Sequence, residues 1–382
     1  LYCAAEDAGT ANAKGAKDAK FAKEDRYAWG MEIREHVALA PLTTFGIGGA
    51  ARWFVEVTTE AEVAEAVHWA EERGLPLLVL GGGSNLLVRD AGFAGLVVRI
   101  GVMGIEDSGE GLLEVGAGES WDGLVDYAVA RGLAGIECLA GIPGSVGGTP
   151  VQNVGAYGQE VAETIESVRA LDRTTGAFVE LAKDACRFRY RESLFNKDEP
   201  GRYVVTRVRF RLRVGGAATV KYAELRERLA ERAEQTQLSE ARPAAPNLVE
   251  VASVVREIRR GKGMLIVDGD PDCRSAGSFF KNPVVDEGRV AGIAAAARVA
   301  EVPHWPTGEG KVKLPAAWLL ERAGFVKGFG AGAVGISSRH TLALTNRGGA
   351  TFADVERLER EIVAGVEAKF GVRLEREPVV VG

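Results

Sequence analysis

The chain is short of the residues that build metal centres and disulfide frameworks. Of its 382 residues only four are cysteine and four are histidine. Cys3, Cys138, Cys186 and Cys273 lie far apart with no C-x-x-C pair. Neither a zinc cage nor a disulfide scaffold is expected, and a reducing cytoplasm fits. His36, His68, His304 and His340 show no metal-ligand spacing, so no metal site is expected. An excess of basic charge is also missing. The formal net charge is −6, which leaves no footprint for nucleic acid. No apolar run approaches the ~20 residues that span a bilayer. Three common signatures are absent as well: the G-x-x-x-x-G-K-[ST] phosphate loop, a G-x-G-x-x-G after a strand, and the G-x-S-x-G nucleophile elbow. Their absence disfavours P-loop, Rossmann and α/β-hydrolase chemistry.

Glycine is what the chain has in quantity, with 49 residues. Residues 141–158 hold six glycines and two prolines, which support neither helix nor regular strand. A second turn, Gly81-Gly82-Gly83-Ser84-Asn85, follows the apolar run 75–80, and a third, Gly116-Ala117-Gly118, follows 112–115. Consecutive N–H groups in such turns form nests for anionic oxygen. Each turn alone reads equally well as a tight turn. Together they point to a large phosphate-bearing cofactor, and a Cβ at Gly147 is expected to collide with its pyrophosphate.

At this length the chain has room for two or three domains of about 150 residues. Residues 1–30 are rich in Ala, Lys, Asp and Glu and read as a flexible extension, with Met31 as the functional start. Thr59 and Glu62 form a capping box before a helix that Gly74 ends. Runs 75–80 and 96–100 read as buried strands, and Ser120 caps a helix that stops at Gly132. Residues 168–171 and 178–181 flank turn residues and read as a hairpin. Over 207–214, Arg207, Arg209, Arg211 and Arg213 alternate with apolar residues, the pattern of a strand with a solvated face. Pro243 and Pro246 mark a linker, followed by helices at 248–258, 314–323 and 352–370, a strand at 341–345 and strand character in 372–381. Two polar clusters stand out: Arg187 to Ser193, which carries guanidinium forks for carboxylate or phosphate, and Ser275 to Pro283, which sets a serine among aromatics.

Thr44 to Gly49, Gly81 to Leu86, Gly116 to Glu119 and Ile142 to Gly148 occur in the same order as in a known family. Pro150 to Tyr157, Tyr190 to Ser193, Gly277 to Pro283 and Glu375 to Pro378 extend the match. Through them the chain resembles the UDP-N-acetylenolpyruvoylglucosamine reductase (MurB) family over about residues 40–382, in the subtype with a mobile aromatic loop. The resemblance implies an α+β fold: a two-part FAD-binding unit of the vanillyl-alcohol oxidase type plus a C-terminal α+β substrate-binding domain. The expected boundaries are 1–30 extension, 31–100 first FAD-binding subdomain (with 371–382 returning to it), 101–262 second subdomain and 263–370 substrate-binding domain.

The implied activity is NADPH-dependent reduction of UDP-N-acetylglucosamine enolpyruvate to UDP-N-acetylmuramate in peptidoglycan synthesis, by a cytoplasmic monomer. NADPH reduces non-covalent FAD, leaves, and is replaced by the sugar nucleotide. Carried over by motif, Ser278 is the proton donor, Arg191 binds the enolpyruvyl carboxylate and Glu377 is the C-terminal catalytic glutamate. The cofactor positions are Gly46, Gly81, Gly82, Gly83, Ser84, Asn85, Gly118, Ile142, Pro143, Gly144, Ser145, Gly147, Gly148, Asn153, Gly155 and Ala156. Tyr157, Tyr190, Lys262, Asn282, Trp305 and His340 match positions around the substrate. Two of them depart from the family's usual residues: Trp305 stands where a tyrosine is frequent, and His340 where a glutamine is. The glycine turns themselves contain no His or Cys to attach FAD covalently. Two other readings compete: a different flavin oxidase on the same cofactor fold, and a silent nucleotide-sugar sensor. The first needs a base or covalent His near the flavin, and the intact Arg191, Ser278 and Glu377 speak against the second.

Overall fold

A computed structural model describes residues 2–3, 27–28, 31–236 and 245–382. Most of the 1–30 extension and the linker around Pro243 lie outside the described residues. The chain forms two compact α+β units. The first takes residues 1–37, 50–83 and 93–258, the second 38–49, 84–92 and 259–382. The boundary expected after 262 therefore falls at 258/259. The segments 31–100 and 101–262, expected as separate subdomains, fall largely within one unit, because a single apolar core containing Trp53, Val98, Leu113, Trp121 and Phe210 runs through both.

In the first unit the capping box at Thr59 forms as expected, with Thr59 Oγ1 accepting from the Glu62 N–H and the Glu62 carboxylate accepting from Thr59 N–H. It starts the Glu60–Glu72 helix, which buries Val63, Val67 and Trp69. That helix connects the Ala50–Val57 strand to Leu77–Leu80. Both strands run parallel to Phe93–Ile100, which lies between them. A crossover between parallel strands needs a dozen or more residues, usually a helix, as here. Tyr2–Cys3 adds antiparallel to the Leu77–Leu80 edge, and Tyr27–Ala28 pairs with Met31–Glu32. At these two points the segment expected as a flexible extension carries strand, the first of them on the open edge of the Leu77–Leu80 strand.

A second, antiparallel sheet has the order Ala177–Ala182, Ile165–Asp172, Tyr203–Arg211, Leu112–Gly116, Ile105–Asp107. The expected hairpin closes through Asp172, whose carbonyl accepts from Gly176 N–H at 2.8 Å. In Tyr203–Arg211 the apolar face is buried, and the arginine face is matched by carboxylates: Arg207 with Glu106, Arg209 with Glu114, Arg211 with Glu166.

In the second unit, the Val284–Asp286, Lys311–Lys313 and Trp305–Gly308 strands form one small sheet, and Val334–Ile336 pairs with Leu344–Asn346. The Phe352–Phe370 helix buries Val355, Leu358, Ile362, Val366 and Phe370, the stripe expected from the sequence. Its N-terminus is held twice, by the Thr351 capping box and by Asp90, whose carboxylate accepts from Phe352 N–H at 2.7 Å. Val379–Val381 runs parallel to Leu86–Val88, in the neighbourhood of residue 87. That neighbourhood belongs to the second unit, since Phe45, Ile47 and Leu87 are part of its core.

Candidate active site

Two glycine turns of the first unit meet backbone to backbone. The buried Leu77–Leu80 strand delivers Gly81 and Gly82 against Gly144 and Ser145. A Cβ on Gly82 would stand 2.6 Å from Gly144 Cα, and one on Gly81 2.4 Å from Ser145 Oγ. Gly83 and Gly144 have positive φ, 62° and 132°. Among the described residues, the N–H groups of Gly82, Gly83, Gly144 and Ser145 have no hydrogen-bond acceptor. Four donors without acceptors at one junction are costly unless an anion or water takes them. This is the donor chemistry that a diphosphate such as that of FAD requires, so the residues present fit the cofactor.

The third turn stands beside them. Gly118 N–H donates to Val102 O at 2.8 Å, and Gly147 N–H to Ala117 O at 2.9 Å. A Cβ on Gly147 would lie 2.5 Å from Ala117 Cβ, so the collision expected with the pyrophosphate is first of all a collision with the neighbouring loop. Gly148 differs, for a Cβ there meets nothing within 4 Å. The start of the segment is anchored by Asp122, which accepts from Gly141 N–H at 2.6 Å and pairs with Arg256. Nothing in the sequence marks Asp122 for this, since an acid in a helix's first turn is ordinary. Ile142 and Pro143 are half-buried between these anchors.

Farther along, Gly155 and Ala156 pair with Glu160 and Gln159 across a turn that holds Tyr157 at φ 49°. The Tyr157 ring meets Tyr222 edge-on at 5.3 Å. Asn153 is buried, and both amide hydrogens are engaged, by Glu160 at 2.9 Å and by Arg189 O at 3.0 Å. Its side chain thus holds this loop together, and only its backbone remains for the cofactor role expected of it. A tight turn closed by Arg189 and Glu192 carries Tyr190 and Arg191. The Arg191 guanidinium donates to Gly155 O at 2.8 Å and lies over the Tyr190 ring at 5.3 Å.

In the second unit, the segment 279–281 pairs antiparallel with 375–377. Glu377 N–H donates to Phe279 O, and Lys281 N–H to Glu375 O, both at 2.9 Å. Ser278 and Glu377 are thereby fixed on adjacent segments. Phe279 and Phe280, each about 1% exposed, anchor the first of these, with their rings 5.1 Å apart. Ser278 is half-buried, and among the described residues its hydroxyl makes no hydrogen bond. Arg376, beside Glu377, is paired with Glu359 at 3.0 Å.

The other expected positions of this unit are dispersed. Asn282 Oδ1 accepts from Ala316 N–H at 2.9 Å, so it also caps the Ala316–Ala323 helix. His340 lies in the turn between the strands Val334–Ile336 and Leu344–Asn346. Lys262 follows the Leu248–Gly261 helix, and Trp305 opens the Trp305–Gly308 edge strand, 51% exposed. Gly46 (φ 72°) is gripped through its carbonyl by Asn346 Nδ2 at 3.0 Å. Ser84 O accepts from Thr44 Oγ1, and Asn85 O from Val379 N–H.

The first unit's junction of N–H groups that have no acceptor among the described residues, together with its α+β sheets, fits a protein that binds a phosphate-bearing cofactor. Residues 51–182 match the family profile described as FAD binding domain, and residues 270–381 match UDP-N-acetylenolpyruvoylglucosamine reductase, C-terminal domain. The chain is 50% identical over 354 residues to the UDP-N-acetylenolpyruvoylglucosamine reductase of Streptomyces coelicolor, covering 90% of this chain and 89% of that one. It is 42% identical to the reductase of Pseudomonas aeruginosa, covering 91% and 98%. The crystal structure of the reductase from Thermus caldophilus superposes with a TM-score of 0.63 at 28% identity, over 92% of this chain and 100% of that one. The chain belongs to the UDP-N-acetylenolpyruvoylglucosamine reductase family and is an FAD-dependent oxidoreductase.

Proposed function

We propose that NADPH is the reductant, and that Ser278, Arg191 and Glu377 share the chemistry of this family's reaction, the reduction of UDP-N-acetylglucosamine enolpyruvate to UDP-N-acetylmuramate in peptidoglycan synthesis. Bound FAD supplies the reducing equivalents to the terminal enol-ether carbon. As that carbon is reduced, negative charge develops toward the substrate carboxylate. The Arg191 guanidinium, a planar fork that is always protonated, stabilises it. Ser278 Oγ delivers a proton to the adjacent carbon. Serine is a weak acid, so it needs a neighbouring cation to carry the alkoxide, and Glu377 on the neighbouring segment is assigned as the C-terminal catalytic glutamate. Gly82, Gly83, Gly144 and Ser145 would hold the FAD diphosphate through their N–H groups. We further take the enzyme to be a cytoplasmic monomer. No described helix is long and apolar enough to cross a membrane.

The reading is carried by one observation: a hydroxyl with no partner among the described residues, on a segment locked beside Glu377 by two backbone bonds. Its test separates the half-reactions. Ser278→Ala should let NADPH bleach the flavin at close to the wild-type rate. Reoxidation by the enolpyruvyl sugar should fall by a factor on the order of 10²–10⁴, the usual weight of general-acid catalysis. Stopped-flow absorbance reads both steps. Reoxidation at the wild-type rate would remove Ser278 from the mechanism.

A further inference from the structure

We propose that Asn196 is a positioning residue for Arg191 and, through it, for recognition of the substrate carboxylate. The inference rests on the assignment of Arg191 made above. Arg191 has φ 59°, in the left-handed region that residues with a Cβ rarely occupy. Such a conformation persists only where the surroundings over-determine it. Two backbone bonds between Arg189 and Glu192 close the turn that carries it, and the Asn196 amide adds two more restraints. Its Nδ2 donates to the Arg191 carbonyl at 3.1 Å, and its Oδ1 accepts from the Ser193 N–H at 2.8 Å. One side chain therefore ties the backbone on both sides of Glu192.

The residues around it are fixed in turn. Ser193 is buried; its Oγ donates to the Val151 carbonyl and accepts from Phe195 N–H at 3.2 Å. The chain then makes a single wide turn over Leu194–Asp198, in which Glu199 N–H reaches back five residues to Leu194 O at 2.8 Å. Turns of this width are rare and recur at functional sites. Upstream, Asn153 Nδ2 holds the Arg189 carbonyl at 3.0 Å. The carbonyls on either side of Tyr190 are thus each held by an asparagine amide, while Tyr190 itself is 41% exposed. These bonds fix the backbone from which the guanidinium extends to Gly155 O at 2.8 Å.

The alternative is that Asn196 merely caps the wide turn, and the two halves of its amide separate the possibilities. Asn196→Asp keeps an oxygen for the Ser193 N–H and replaces the donor at the Arg191 carbonyl with an acceptor. Measurements on the FAD-loaded holoenzyme would be the thermal midpoint, the sugar dissociation constant from the perturbed flavin spectrum, and both half-reactions by stopped flow. The expected result is a near-wild-type midpoint and NADPH step, weaker sugar binding, and reoxidation by the sugar slowed on the order of 10²-fold, the usual consequence of a small misplacement. Wild-type reoxidation in Asn196→Asp overturns the proposal. So does an equal loss in both half-reactions with a lowered midpoint, which a purely structural role gives. Should Asp at this position prevent folding, Asn196→Ser is read by the same criteria. Arg191→Ala is the control. If it reoxidises normally, the assignment of Arg191 fails; if it collapses while Asn196→Asp does not, only the present inference fails.

Discussion

Asp172 illustrates how a single residue couples local geometry to stability. It closes the hairpin between Ile165–Asp172 and Ala177–Ala182, and its carboxylate accepts from both Nε (3.0 Å) and NH2 (2.8 Å) of Arg202. A further bond comes from Thr174 N–H at 3.0 Å. The Arg202 bonds, opposed by burial, hold its pKa below the ordinary aspartate value. Because the folded pKa is depressed, the stabilisation is complete above the unfolded value of about 3.9 and is lost as pH falls through the folded one. Asp172→Asn should therefore cost about 1–2 kcal/mol at pH 7, discounted for the partial exposure of Arg202. The difference from wild type should shrink below about pH 4. Urea unfolding at pH 7 and pH 3.5 measures both. An equal penalty at the two pH values would mean that the ion pair is not its source. The sequence marks Asp172 as a turn residue, but its partner thirty residues away is invisible there. Asn196 is the same case: nothing in Leu-Phe-Asn-Lys announces a bond to a carbonyl five residues upstream.

At the scale of elements, what was legible is what local chemistry dictates. Thr59 with Glu62, Ser120 and the 352–370 stripe all form where their patterns place them. The Ala50–Val57 strand, an interior strand of its sheet, is hard to read from sequence because Arg52 and Glu56 break a run that is buried on both sides of them. The Val290–Ala297 helix, Val-Ala-Gly-Ile-Ala-Ala-Ala-Ala, buries only Ile293 and so has no stripe to read. The glycine turns were legible as turns, but which neighbour each glycine serves was not. Gly147 and Gly148 are adjacent and identical in sequence terms. A Cβ on the first strikes Ala117 at 2.5 Å, and one on the second enters open space. Gly147→Val should therefore destabilise even the apoprotein, by about 1–3 kcal/mol as overpacking does. Gly148→Ala should leave the apoprotein's thermal midpoint unchanged or slightly raised, since its φ suits alanine, and should weaken flavin binding. Calorimetry of the apoproteins with flavin titration distinguishes the two. If Gly148→Ala binds FAD as tightly as wild type, the open side of that turn does not face the cofactor.

For the whole molecule, the division of labour was readable as an ordered series of motifs, whereas the interleaving of the two units was not. Residues 38–49 and 84–92 join the second unit through contacts such as Asn346 Nδ2 to the Phe45 carbonyl, about 300 residues apart. The working of the whole enzyme makes a prediction that no single site makes. Cys138 and Cys186 are fully buried, and burial pushes both thiols up to about 12. At neutral pH they are protonated and poor nucleophiles, unsuited to a covalent flavin linkage. Denaturation should therefore release all of the FAD into the supernatant. In the native enzyme, NADPH should bleach the flavin without oxygen, and the colour should stay lost until the enolpyruvyl sugar is added. A flavin oxidase would recover its colour with oxygen alone, as fast as with the sugar, and a silent sugar sensor would not recover it with the sugar at all. Fast recovery with oxygen, no recovery with sugar, or flavin that stays with the denatured protein would each refute a separate part of this account: the acceptor, the catalysis and the non-covalent cofactor.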